Sequence, residues 1–102
     1  MALLDNPASS LLDGRKTVTT AGTAVQLASS VTAVNEVAVT ALSTNTGLIV
    51  VGASTVKAKA EERRGQPLSA GQTVSLDIRD LSSVWIDSTV NGEGVSYLAG
   101  VA

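Results

Sequence analysis

Residues 84–98, VWIDSTVNGEGVSYL, decide how the chain is read. Two β-rich runs flank Asn91-Gly92, a pair that tolerates the positive φ of a type I′ turn, so the stretch predicts a hairpin. A two-residue turn sets the register. Val90 then lies opposite Glu93, Ser88 opposite Val95, Ile86 opposite Tyr97 and Val84 opposite Ala99. The other face carries Thr89 with Gly94, Asp87 with Ser96, and Trp85 with Leu98. Taking the first face as core leaves Trp85 and Leu98 as an apolar pair on the outside. Such a pair either anchors an interface or is covered by a loop or the N-terminal arm of its own subunit.

Moving upstream, the same short-strand pattern repeats. Thr73 to Arg79 alternates Val74, Leu76 and Ile78 with polar residues, the cleanest strand period in the chain. Asp80 to Ser83 turns it into the hairpin. Thr55 to Glu61 alternates in the same way and predicts a half-exposed strand. Leu48 to Val51 predicts a buried strand closed by Gly52. Glu36 to Leu42 is apolar on both faces and predicts a central one. Thr17 to Thr20 and Ala24 to Leu27, around Ala21-Gly22, predict a first strand pair or one bent strand. The mixed charges of Glu61 to Arg64 suit a solvated loop better than a polar docking site.

Residues 1–14 fall outside this pattern and are assigned to an N-terminal arm. Pro7, capped by Asn6 and stopped by Gly14, would fit a short helix; an extended arm is the alternative. Its Leu3, Leu4, Leu11 and Leu12 need a surface, on their own domain or on a neighbouring subunit. Residues 15–102 then form a single domain. Seven or eight short strands without helical periodicity predict an all-β fold, a β-sandwich or jelly-roll.

Composition narrows the function classes. Of the 102 residues 44% are hydrophobic, yet Phe is absent and Trp85 and Tyr97 are the only aromatics. A core of Val, Ala, Leu and Ile buries less area per side chain, so association between subunits is expected to supplement stability. The net charge of −2 argues against a nucleic-acid partner. No apolar run approaches the roughly 20 residues of a membrane span, and MALLDNPASS does not read as a secretory signal. Synthesis in a cytoplasm and no membrane partner are expected.

The sequence contains neither histidine nor cysteine, which removes the usual general base, the thiol nucleophile and most transition-metal sites. A serine paired with Lys16, Lys57 or Lys59 is disfavoured, because on exposed strands those lysines keep their charge. Asp77, Asp80 and Asp87 could form an acid/base pair or a calcium site, but their positions favour structural hydrogen bonding. Gly92-Glu93-Gly94 opens a strand rather than a helix, so it does not read as a phosphate loop. No catalytic, metal or cofactor residue is assigned, and no enzymatic activity is expected.

The stretches GTAVQL (22–27), EVAVTAL (36–42), NTGLIVVG (45–52), GQPLSAGQTVSLDI (65–78) and DLSSVWIDSTVNGEGVSYL (80–98) together resemble small virion structural proteins of tailed bacteriophages. The resemblance covers residues 17–98, and NTG-x-I-x-VG with VNGEGVSYL are its most specific parts. It implies a β-sandwich or jelly-roll module that decorates, or cements, the capsid, with the major capsid protein and further copies of itself, as a homotrimer, for partners. The expected location is the capsid surface of the virion. A fibre, neck or tail component is the alternative. Candidate interface residues are Leu3, Leu4, Leu11, Leu12, Trp85 and Leu98.

Overall fold

In the computed structural model, which describes residues 10–101, antiparallel backbone ladders define eight strands. They are β1 (Ser10–Thr17), β2 (Val25–Gln26), β3 (Glu36–Ala41), β4 (Ile49–Gly52), β5 (Gln66–Leu68), β6 (Thr73–Leu76), β7 (Trp85–Ser88) and β8 (Gly94–Val101). Short 3₁₀ turns at Ala60–Glu62 and Leu81–Ser83 interrupt the connections. The strands form two antiparallel sheets. The front sheet has the order β1-β8-β3-β6 and the back sheet β2-β7-β4-β5.

The pairing has a simple rule. First pairs with last, second with seventh, third with sixth and fourth with fifth. The chain is therefore a long antiparallel ribbon bent between β4 and β5. Two further pairings, β3 with β8 and β4 with β7, roll the ribbon into two sheets. The inward faces meet in one aliphatic core. Val37, Val39, Ala41, Val95 and Ala99 come from the front sheet, and Ile49, Val51, Leu68 and Ile86 from the back. Burying each large aliphatic side chain contributes about 1.5–3 kcal/mol. Val18, Leu27, Val34, Leu81 and Val84 close the core from the connections.

The predicted hairpin does not form. β7 lies in the back sheet between β2 and β4, whereas β8 lies in the front sheet between β1 and β3. Ser88 faces Ile49 and Ile86 faces Val51; Val95 faces Lys16 and Ala41, and Tyr97 faces Gly14 and Val39. Residues 89–93 cross between the sheets. The crossing starts where the Ser88 hydroxyl donates to the Val90 carbonyl (2.7 Å) and accepts the Val90 N–H (3.0 Å), which turns the backbone out of the ladder. Gly92 takes a φ of +81°, as its sequence position requires, and donates its N–H to the Val18 carbonyl at 2.7 Å. Gly94 is bare for a different reason. A Cβ there would run into the Lys16 carbonyl and the Thr17 backbone of β1.

Other expectations also change. β1 begins at Ser10, so residues 10–14, assigned above to the arm, belong to an edge strand, and Gly14 stops no helix. Residues 1–9 lie outside the described residues. The segments around Ala21-Gly22 form no strand pair, because β1 and β2 sit in different sheets. Thr55 to Glu61 is not a strand but a loop held by a bridge between Lys57 and Arg64; its alternation survives, with Val56 and Ala58 buried. β5 was not anticipated, because Pro67 reads as punctuation. Pro67 is in fact tolerated on an edge strand.

Candidate functional site

The outward faces of the two sheets are the places where side chains are free to act on something else. On the front sheet the rows run across β1, β8 and β3. Leu11, Gly100 and Glu36 form one row, Asp13, Leu98 and Ala38 the next, and Arg15, Ser96 and Thr40 the third. Ser75 and Thr73 of β6 continue the last two rows. Leu11 is 71% exposed and Leu98 48%, side by side on an otherwise small-residue or charged surface. The Thr40 and Thr73 hydroxyls bond each other at 2.7 Å. This open apolar patch is the strongest candidate for a binding surface.

Among the described residues the back sheet presents no comparable pair of exposed leucines. Val50 and Trp85 point outward from it, but Val56, Ala58 and Ala24 pack on them as a second small apolar cluster. Trp85 is therefore covered by loops of its own subunit. It also lies on the opposite side of the molecule from Leu98, so the Trp85/Leu98 pair expected from the hairpin does not exist. Leu12 packs against the main core rather than facing a partner. Leu3 and Leu4 lie outside the described residues. Of the six candidate interface residues, the structure brings Leu11 and Leu98 together on one exposed face.

Asp87, next to Trp85 in sequence, is only 1% exposed. One carboxylate oxygen accepts the N–H groups of Gly22 (2.9 Å) and Ser88 (2.8 Å), and the other accepts that of Ala58 (2.9 Å). This buried side chain is satisfied by backbone donors, two of them from separate loops. It pins the loop before β2 and the loop after β4 onto the back sheet. Arg63 then fastens the second loop to itself, donating twice to the Ala58 carbonyl.

The remaining acidic residues named above also serve the frame. The Asp80 carboxylate accepts from the Thr32 N–H, the Ser82 N–H and the Ser82 hydroxyl, capping the 3₁₀ turn at Leu81–Ser83. Those bonds, Thr32 first, hold its carboxyl below the usual carboxylate range. Asp77 is exposed and pairs with Arg79 at 2.9 Å. Lys57 and Lys59 are exposed, and Lys59 pairs with Glu62. Lys16 is half-buried on the core side of β1, contrary to its expected exposure.

Glu93 was given no role by the sequence, yet it ties the crossing to the turn before β4. Its carboxylate accepts from the Thr46 N–H (2.6 Å), the Thr46 hydroxyl (2.9 Å) and the Gly47 N–H (2.8 Å). The backbone bonds from Thr46 and Gly47 hold Glu93 below the usual carboxylate range. Beside it, the Asn45 amide donates to the Gly94 carbonyl at 2.9 Å. Asn91 reaches the other way and accepts the Ala21 N–H at 2.7 Å. The only sequence signal was a carboxylate between two glycines, which is silent about a partner forty-seven residues away.

No protein-family model, no curated protein and no solved structure matches the chain.

Proposed function

We propose that the chain is a jelly-roll module acting as a capsid decoration, or cement, protein of a tailed bacteriophage, bound to the outside of the major capsid protein shell. The fold part of this reading is supported by the strand order. A ribbon that pairs first strand with last, then rolls into sheets ordered β1-β8-β3-β6 and β2-β7-β4-β5, is the arrangement a jelly-roll of two Greek keys calls for, and it supports that reading. The two stretches most specific to the resemblance, NTGLIVVG and VNGEGVSYL, meet in space through Glu93 and Asn45. They belong to one clamp in the frame.

The observation that carries the binding role is the open front face, where Leu11 and Leu98 stand exposed on a sheet whose loops are tied down elsewhere. A preformed surface loses little conformational entropy when it docks. A protein that binds only the assembled shell stabilises it by mass action, in proportion to how far its concentration exceeds its dissociation constant. Homotrimers on the shell are part of the proposal, with the role structural rather than catalytic.

The test mixes the purified protein with undecorated capsids of its own phage and measures bound copies and the temperature of shell disruption. Saturable binding with a raised disruption temperature is the expected result. No binding and an unchanged disruption temperature overturn the reading. Labelled copies found only on the tail or fibres of the virion would move the module there.

A further inference from the structure

Asn91-Gly92 closes no hairpin, yet the pair has a reactivity of its own. Glycine presents its backbone nitrogen to the preceding asparagine side chain with no Cβ in the way. Of the four asparagines only Asn91 is followed by glycine; Asn6 precedes Pro7, Asn35 precedes Glu36 and Asn45 precedes Thr46. Asn91 and Gly92 are both exposed, so water reaches them. No atom crowds the place where a Gly92 side chain would stand.

We propose that Asn91 is a site of spontaneous covalent modification, gated by the connection between β1 and β2. The Gly92 nitrogen gives its proton to hydroxide and attacks the side-chain carbonyl carbon of Asn91. A C–N bond forms, the bond to the amide nitrogen breaks, and that nitrogen leaves as ammonia with a proton from water. Water then opens the cyclic imide. Opening at the side-chain carbonyl leaves aspartate. Opening at the main-chain carbonyl leaves isoaspartate, whose backbone runs through the former side chain and is longer by an atom.

The native structure holds both reacting groups. The Gly92 N–H donates to the Val18 carbonyl at 2.7 Å, and the Asn91 side-chain oxygen accepts the Ala21 N–H at 2.7 Å. Both partners belong to one segment, residues 18–22, between β1 and β2. The same segment is fastened again where the Gly22 N–H meets the Asp87 carboxylate at 2.9 Å. Ring closure needs the nitrogen free of Val18 and the side chain free of Ala21. It therefore proceeds from a locally opened state, and the population of that state sets the rate.

The product alters the frame. Isoaspartate lengthens the crossing beside Glu93, whose carboxylate must reach Thr46 and Gly47, and adds a second carboxylate next to it. The tie between the crossing and the turn before β4 loosens, and the change is irreversible. The inference does not rest on the shell-binding role and is decided on the isolated protein.

The purified chain is incubated at one mildly alkaline pH, in buffer and in denaturing urea. Peptide mapping by mass spectrometry follows aspartate and isoaspartate at each asparagine. In urea Asn91 is expected to convert fastest, with isoaspartate the larger product. In buffer the two hydrogen bonds should slow it roughly tenfold or more. Slower conversion in urea at Asn91 than at Asn45 overturns the site, and equal rates at Asn91 in buffer and urea overturn the gate.

Asp87→Ala releases Gly22, so conversion at Asn91 in buffer should rise about threefold or more in that variant while it stays folded by circular dichroism. An unchanged rate overturns gating by residues 18–22. Should the variant not fold, the unaltered chain is followed at urea concentrations below its unfolding transition. Conversion that rises ahead of the transition is the expected result for a local gate. Conversion that rises only with global unfolding overturns it.

Discussion

The outward faces of the two sheets start from the same strand alternation and end differently. The back face is roofed, because the connections before β2 and after β4 fold over it and bring Ala24, Val56 and Ala58 onto Val50 and Trp85. The front face has no such roof among the described residues, and Leu27, Val34, Leu81 and Val84 of the connections turn into the main core. One device separates the two outcomes. Asp87 offers a carboxylate to the N–H groups of both roofing loops, and among the described residues no acidic side chain plays that part on the front. An outward apolar residue is therefore core or surface according to where the loops run.

The comparison breaks most readily at Asp87. Asp87→Ala leaves three N–H groups near the roof without their acceptor. Each unsatisfied buried donor costs about 1–3 kcal/mol, so a loss of roughly 3 kcal/mol or more is expected in urea unfolding. A loss below about 1 kcal/mol would mean that the roof is not held by this carboxylate. Trp85→Ala tests the same roof through packing. Full burial would make it a 3–5 kcal/mol change, and partial burial reduces this to about 2 kcal/mol. Amide exchange should quicken in residues 53–58 while β3 and β8 keep their protection.

A pH-dependent effect sharpens the picture at the loops. Asp80 is held below the usual carboxylate range first by the Thr32 N–H, and Glu93 first by the Thr46 N–H. A carboxyl whose folded value is depressed contributes stability above its unfolded value and loses that contribution as pH falls through the folded value. Stability should therefore decline from about pH 4 downward. The double variant Asp80→Asn, Glu93→Gln should unfold with a shallower acid limb and be less stable near neutrality, where the native carboxylates make their full contribution. An unaltered acid limb would remove both residues from the account.

The smallest effect belongs to the open face. Leu98→Ser exchanges an exposed apolar side chain for a polar one, and the unfolding midpoint should shift by no more than about 0.5 kcal/mol. Under the proposed shell-binding role, capsid binding should fall sharply in the same variant. A large stability loss would mean that the leucine is covered in the isolated subunit and that the front face is not open.

Much of the strand pattern was legible because a period of two is a local property. Val74 and Leu76, Val37 and Val39, and Ile49 and Val51 all face the core as their alternation requires. Asp80 behaved as a turn aspartate for the same reason, since its Ser82 donors are two residues away. Pro67 hid β5, because an edge strand tolerates proline while the residue type argues against a strand. The alternation of Val56 and Ala58 was correct but did not distinguish a strand from a loop lying on a sheet. Glu93 escaped, and the structural use expected of Asp87 came without its partners, because their donors, Thr46, Gly47, Gly22 and Ala58, are distant along the chain.

Asn91-Gly92 divides the two kinds of information. The sequence by itself determined that the chain turns there and that Gly92 adopts positive φ, because those are properties of the residues themselves. It also determined an all-β chain with an aliphatic core. Only the tertiary structure decided that the turn joins two sheets rather than two neighbouring strands. β7 and β8 each gain two partners by separating, β2 and β4 for one, β1 and β3 for the other. That choice rests on hydrogen bonds and packing between distant segments, which local residue preferences do not encode.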